Sequence, residues 1–127
     1  MRESILKKLV IDIDETICTT LLGDYKNSQP DLNVINKIRE YKKMGFEICF
    51  YTSRNMRTFE NNIGKITAQT LPNIVNWLNQ HDVPYDEIVV GKPWCGFEGF
   101  YVDDKAIRPD EFVKLSYAEI QQLINEK

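Results

Sequence analysis

The stretch Lys7-Lys8-Leu9-Val10-Ile11-Asp12-Ile13-Asp14-Glu15-Thr16 decides the fold. Leu9, Val10 and Ile11 form an apolar run opened by lysines and closed by two carboxylates one residue apart. This is the pattern of a buried parallel-type strand whose carboxyl end delivers Asp12 and Asp14. In open α/β sheets the ligand crevice lies outside the carboxyl ends of the strands, where strand order reverses, and the first strand commonly flanks that point. The expectation is an acidic pocket on Asp12 and Asp14 that suits a metal ion and a phosphate.

Outward from that strand, Ile17 to Pro30 carries Gly23, Asp24, Asn27 and Pro30 and reads as a loop or small hairpin over the crevice. It makes a flap but not a folded cap, which needs a core of roughly 40 residues or more. Pro30-Asp31 opens a helix with Leu32, Ile35, Ile38 and Tyr41 at helical spacing, Lys42 and Lys43 in the last turn, and Gly45 as its stop. A second apolar strand, Phe46 to Tyr51, ends in Thr52-Ser53-Arg54-Asn55. Met56 to Gln69 is polar, with an irregular turn and a short helix around Ile63, Ile66 and Thr67. Thr70 to Gln80 then reads as a second crossover helix, with Leu71, Ile74, Val75 and Leu78 on one face and Pro72 in its first turn. Trp77 is most simply core, and His81 a C-terminal cap.

A third strand, Glu87 to Val90, leads into Gly91-Lys92-Pro93-Trp94, and a fourth, Phe100-Tyr101-Val102, ends at Asp103-Asp104. A short helical turn from Asp110 precedes a last helix, where Ser116 and Glu119 make a capping box before Ile120, Leu123 and Ile124. The order predicts one domain over residues 1–127, an α/β fold in which a parallel Rossmann-like sheet lies in a three-layer α/β/α sandwich without a cap.

Size and composition agree. At 127 residues the chain suits a single core, and 43% hydrophobic with 28% charged residues is ordinary for a soluble globular protein. A net charge of −3 argues against a nucleic-acid coat or an anionic-membrane binder, which need concentrated Lys and Arg. Cys18, Cys49 and Cys95 are odd in number and widely spaced, so neither a disulfide framework nor a zinc site is expected; reduced thiols in the cytoplasm are. Met1-Arg2-Glu3-Ser4-Ile5 lacks the apolar segment of a signal peptide, and no stretch approaches the ~18 apolar residues of a membrane span.

Four strand ends thus carry two carboxylates, a threonine, a lysine and two more carboxylates. Removing a phosphoryl group from an alkyl phosphate needs charge neutralisation, an in-line nucleophile and a proton for the leaving oxygen. Asp12, Asp103 and Asp104 are candidate ligands for Mg²⁺, which favours one or two carboxylates plus water and substrate phosphate. Lys92 and Thr52, with Ser53 beside it, are candidate grips for phosphoryl oxygens. Asp14 is placed to protonate a departing alkoxide if Asp12 is the nucleophile.

With these motifs in order, the chain resembles the haloacid dehalogenase superfamily of aspartyl phosphatases. The hydrophobic strand and DxDxT/V pattern are met by Asp12-Ile13-Asp14-Glu15-Thr16, the second-strand Thr by Thr52, the Lys by Lys92, and the terminal acidic pair by Asp103-Asp104. The resemblance implies an aspartyl-phosphate on Asp12, acid and then base work by Asp14, and a Mg²⁺ shell that includes the Asp14 backbone carbonyl. The missing cap resembles the capless subgroup. Gly91-Lys92-Pro93-Trp94-Cys95-Gly96-Phe97 and Tyr101-Val102-Asp103-Asp104-Lys105-Ala106-Ile107-Arg108-Pro109 are further similar to small phosphatases of bacterial capsule polysaccharide biosynthesis. That likeness implies a small phosphorylated sugar or capsule precursor as substrate, with Trp94, Cys95 and Phe97 near the leaving group and Arg54 or Arg57 on a second group.

Other classes compete. A signalling receiver domain also surrounds a phosphorylated Asp with acidic groups, Mg²⁺, Thr and Lys, but its acidic pair follows the first strand and its acceptor the third. A nucleotide-sugar transferase with a DxD metal clamp normally needs a longer chain. A nucleotide or polynucleotide 3′-phosphatase differs only in substrate. Without a cap, water must be excluded by the flap, the substrate or a neighbouring subunit, which leaves room for a homo-oligomer.

Overall fold

In the computed structural model the described residues are 5–21 and 23–126. The stretch read above for a leader falls, except for Ile5, outside them. Two compact units divide the chain, one ending at Trp94 and the other beginning at Cys95. In chain order the first unit holds β1 (Lys8–Ile11), β2 (Cys18–Thr19), β3 (Gln29–Pro30), α1 (Leu32–Lys43), β4 (Glu47–Thr52), α2 (Ile63–Lys65), α3 (Leu71–Gln80) and β5 (Glu87–Val90). The second holds α4 (Pro109–Lys114) and α5 (Tyr117–Ile124).

The first unit is built on a three-stranded parallel sheet in the order β1-β4-β5. Ile11 lies opposite Phe50, and Thr52 opposite Val90, so the three carboxyl ends come out on one edge. β4 is the central strand, with Ile48, Cys49, Phe50 and Thr52 all buried, which is why its sequence is apolar without alternation. β1 differs from the sequence expectation of a buried strand. Lys8 and Val10 are exposed, Val10 to 60%, because among the described residues β1 pairs only with β4 and alternates as an edge strand does.

Crossover helices set the direction of the sheet. α1 begins where Asp31 accepts a hydrogen bond from the Val34 amide, an N-cap worth about 1 kcal/mol. Val34, Ile35, Ile38 and Tyr41 are its buried positions, while Leu32, expected on that face, is exposed. Gly45 turns the chain with φ 95°, a conformation glycine adopts without a Cβ penalty. The second crossover is longer than its sequence suggests. Asn62 caps α2, a π-helical turn at Ile66–Thr70 follows, and α3 continues to Gln80. The wider turn leaves Ile66 and Thr70 buried, together with Ile74, Trp77 and Leu78 of α3.

The expected flap is a small antiparallel hairpin, with Cys18 opposite Pro30. Trp77 is 5% exposed, and its indole N–H donates to the Ser28 carbonyl at 3.0 Å, so this core residue also pins the hairpin. His81 caps α3, its backbone N–H donating to the Trp77 carbonyl.

In the second unit the Ser116–Glu119 capping box is present as expected: the Ser116 hydroxyl accepts from the Glu119 amide, and the Glu119 carboxylate from the Ser116 amide. The fourth strand is a correction. Among the described residues no strand forms at Phe100–Val102, and Phe100, Tyr101 and Val102 are exposed. The run between Gly99 and the two aspartates is three residues long, shorter than a usual strand. No helix of the described residues is long and apolar enough to cross a membrane.

Candidate active site

The carboxyl ends of β1, β4 and β5 gather side chains from three distant parts of the first unit. After β1 the chain closes a tight turn in which the Thr16 and Ile17 amides donate to the Ile13 carbonyl, with Glu15 in the left-handed region at φ 61°. Ile13 and Ile17 are buried, which anchors the turn from below. Asp12 and Asp14 are both half-buried. One Asp12 carboxylate oxygen accepts from the Thr16 hydroxyl at 3.3 Å, and the other lies 3.8 Å from the Lys92 ammonium.

Lys92 reaches that position through the backbone. Gly91 adopts φ 88° just past β5, and the Lys92 amide donates to the Thr52 carbonyl at 3.1 Å, extending the ladder beyond the strand. A Cβ on Gly91 would meet the Ile63 side chain at 2.6 Å. Thr52 is 1% exposed, and its hydroxyl accepts from the Arg54 amide at 3.0 Å. Ser53 is half-buried between them, its carbonyl accepting from the Met56 amide. Asp12, Thr52 and Lys92 therefore share one sheet edge.

The electrostatics follow from burial. Desolvation pushes the Asp12 carboxyl above its ordinary pKa; the Lys92 charge and the Ile13 amide oppose this only in part. The Cys18 thiol is pushed up to about 11, first by burial and then by the Asp14 charge, so it is no nucleophile at neutral pH.

Arg54 occupies a place its sequence position did not disclose. It is 6% exposed, and its guanidinium makes a two-pronged contact with Asp14, Nε to Oδ2 at 3.0 Å and Nη2 to Oδ1 at 2.8 Å. Its face lies 4.3 Å from the centre of the Tyr25 ring, which belongs to the hairpin. The Thr20 hydroxyl donates to the same Asp14 oxygen at 3.5 Å and meets the Ser28 hydroxyl at 2.6 Å. An arginine two residues beyond a strand-end threonine was the available signal, and it does not say which carboxylate the arginine meets. Trp94 is 38% exposed, with the Arg57 guanidinium 6.0 Å from its ring centre. Asp103 and Asp104 belong to the second unit, where they are exposed and an Asp103 oxygen accepts from the Lys105 amide at 2.9 Å.

Among the described residues no group of three or more His, Cys, Asp or Glu side chains gathers as metal ligands. Mg²⁺ needs fewer, because water and substrate phosphate complete its octahedron. The Asp12 carboxylate is a hard oxygen donor with part of its surface open, the kind of ligand Mg²⁺ takes, so Asp12 fits the ion.

No family model matches the chain, and no curated protein matches it. Chains of two solved structures of a Pnkp1/Rnl/Hen1 complex, one described as an RNA repair complex, align with TM-scores of 0.50 and identities of 14% and 16%. They cover 77% and 88% of this chain but only 30% and 36% of their own length, and the likeness is one of fold alone. The crystal structure of an MCSG target from Vibrio cholerae aligns with a TM-score of 0.92 and 55% identity, over 94% of this chain and 97% of that one. With more than half of the aligned residues identical over nearly the full length of both, the chain belongs to the same family as that Vibrio cholerae protein.

Proposed function

We propose that the protein is a Mg²⁺-dependent phosphomonoester hydrolase of the haloacid dehalogenase type, capless, working through an aspartyl-phosphate on Asp12. The observation that carries this reading is the 3.8 Å approach of Lys92 to Asp12, with Lys92 tied by its amide to Thr52. Three motif positions from three strand ends share this edge, which supports a phosphoryl group bound between them. The reading includes the complete three-layer α/β/α sandwich, and the free thiols of Cys18, Cys49 and Cys95 fit a reducing, cytoplasmic setting.

In the first half-reaction an Asp12 oxygen attacks phosphorus, the bond from phosphorus to the ester oxygen breaks, and protonated Asp14 gives its proton to that oxygen. In the second, water attacks the phosphorus of the acyl phosphate, passes a proton to Asp14, and leaves inorganic phosphate and a free Asp12 carboxylate. Lys92 and the Thr52 hydroxyl hold the non-bridging oxygens as charge develops, with Ser53 at the same edge. Bound Mg²⁺ would neutralise phosphoryl charge from a shell that includes the Asp12 carboxylate and the Asp14 backbone carbonyl.

The substrate class is a small phosphorylated sugar or other capsule precursor, its leaving group near Trp94 and Arg57. A polynucleotide 3′-phosphate end is the second reading, favoured by the RNA repair complex among the fold neighbours and opposed by the net charge of −3. The test is inorganic phosphate release from a panel of sugar, aryl and 3′-nucleotide phosphates, with and without Mg²⁺, for wild type and Asp12→Asn. Mg²⁺-dependent turnover lost in the variant supports the reading. A stable acyl phosphate formed from acetyl phosphate without ester turnover would favour the receiver class instead.

A further inference from the structure

Asp14 is held more tightly than a carboxylate that simply lines a pocket. Both its oxygens accept from one guanidinium, and Oδ1 also accepts from Thr20. The guanidinium is in turn held: Arg54 is buried, its amide donates to the Thr52 hydroxyl, and its face is covered by Tyr25. A planar fork matched to a carboxylate fixes both side-chain torsions of the aspartate, which a lysine ammonium does not do. Stability does not account for the arrangement well. Burying such a pair costs desolvation on both sides, and apolar side chains of equal volume commonly fold as stably.

We propose that Arg54 is a positioning residue for the acid–base group, and that Tyr25 acts through it. The aromatic face sets the plane of the guanidinium, and the guanidinium sets the direction of the Asp14 carboxyl beside Asp12. This rests on the phosphatase reading for what Asp14 does, while the relay itself is a matter of geometry. Arg54 is thereby a support for the reacting carboxyl rather than a contact for the substrate.

Leaving groups separate positioning from general loosening. An aryl phosphate departs with little help from an acid, and an alkyl phosphate needs the proton. Arg54→Lys and Tyr25→Leu, the second of which keeps the guanidinium and both carboxylates, are compared with wild type on p-nitrophenyl phosphate and on a sugar phosphate. Both variants should lose at least about 10-fold more kcat on the alkyl than on the aryl ester. Crystal structures of the two variants should show the Asp14 side chain turned from its wild-type orientation. Equal losses on both esters, or an unchanged Asp14 orientation in both variants, would overturn the proposal. Should wild type release phosphate from no ester, the phosphatase reading fails by itself, and Asp14 orientation still decides the relay.

Discussion

The Lys92 ammonium stands 3.8 Å from an Asp12 carboxylate oxygen, although the two residues leave different strands with another strand between them. The contact crosses the end of β4, where Thr52 is buried. On the proposed reading a phosphoryl group bound there would meet the Lys92 cation, with Thr52 at the same sheet edge. Lys92→Met keeps most of the length of the side chain and removes the charge, so kcat on an aryl phosphate should fall about 100-fold or more. Circular dichroism should be unchanged; activity near wild type would remove Lys92 from the site.

Gly91 aims that lysine. At φ 88° any other residue is strained, and a Cβ would press on Ile63. Gly91→Ala should lower stability by about 1 kcal/mol or more in urea denaturation, and reduce kcat by displacing the Lys92 backbone from Thr52. A variant that is as stable and as active as wild type would show that this backbone conformation places nothing.

Burial raises the folded-state pKa of Asp12, so the ionised group opposes folding. The stability associated with its protonated form is present below the unfolded carboxyl value and is lost as pH rises through the folded one. Asp12→Asn should therefore melt higher than wild type at pH 7, while abolishing turnover. The gap should close below about pH 4, where the wild-type carboxyl is protonated in both states. A variant that melts lower than wild type at pH 7 would mean that Lys92 and the amides outweigh burial.

Asp86 has the opposite sign. Its carboxylate accepts from Lys42 at 2.8 Å and from the Ile48 amide at 2.8 Å, and these bonds hold its pKa below the ordinary range. Its contribution is present above the unfolded carboxyl value and lost as pH falls through the folded one. Asp86→Ala should cost about 1 kcal/mol at pH 7, mainly through the Ile48 hydrogen bond because the Lys42 pair is open to solvent. The difference should shrink below about pH 4; a constant difference down to pH 3 would assign the effect to packing.

The parts of this molecule that could be read from its sequence are those set by local pattern. Asp31 before a helical apolar stripe marks α1, and the unbroken apolar run of β4 marks a central strand. The positions of Asp12, Thr52 and Lys92 follow because a parallel sheet sends its carboxyl ends to one edge. Less was legible where tertiary partners decide. Val10 is apolar but lies on an edge strand, and Phe100–Val102 has strand composition without a strand. The π turn before α3 comes from burying Ile66 and Thr70 together, and the Arg54–Asp14 fork from a burial that spacing does not encode.

The most direct test of Asp12 as nucleophile is chemical trapping during turnover. Wild-type protein incubated with Mg²⁺ and an aryl phosphate is quenched with borohydride, which reduces an aspartyl-phosphate to homoserine, and peptides are mapped by mass spectrometry. Homoserine at position 12, lost on omitting substrate, is the expected result. Phosphate release with Asp12 unmodified, or homoserine at Asp14, Asp103 or Asp104 in its place, would contradict it.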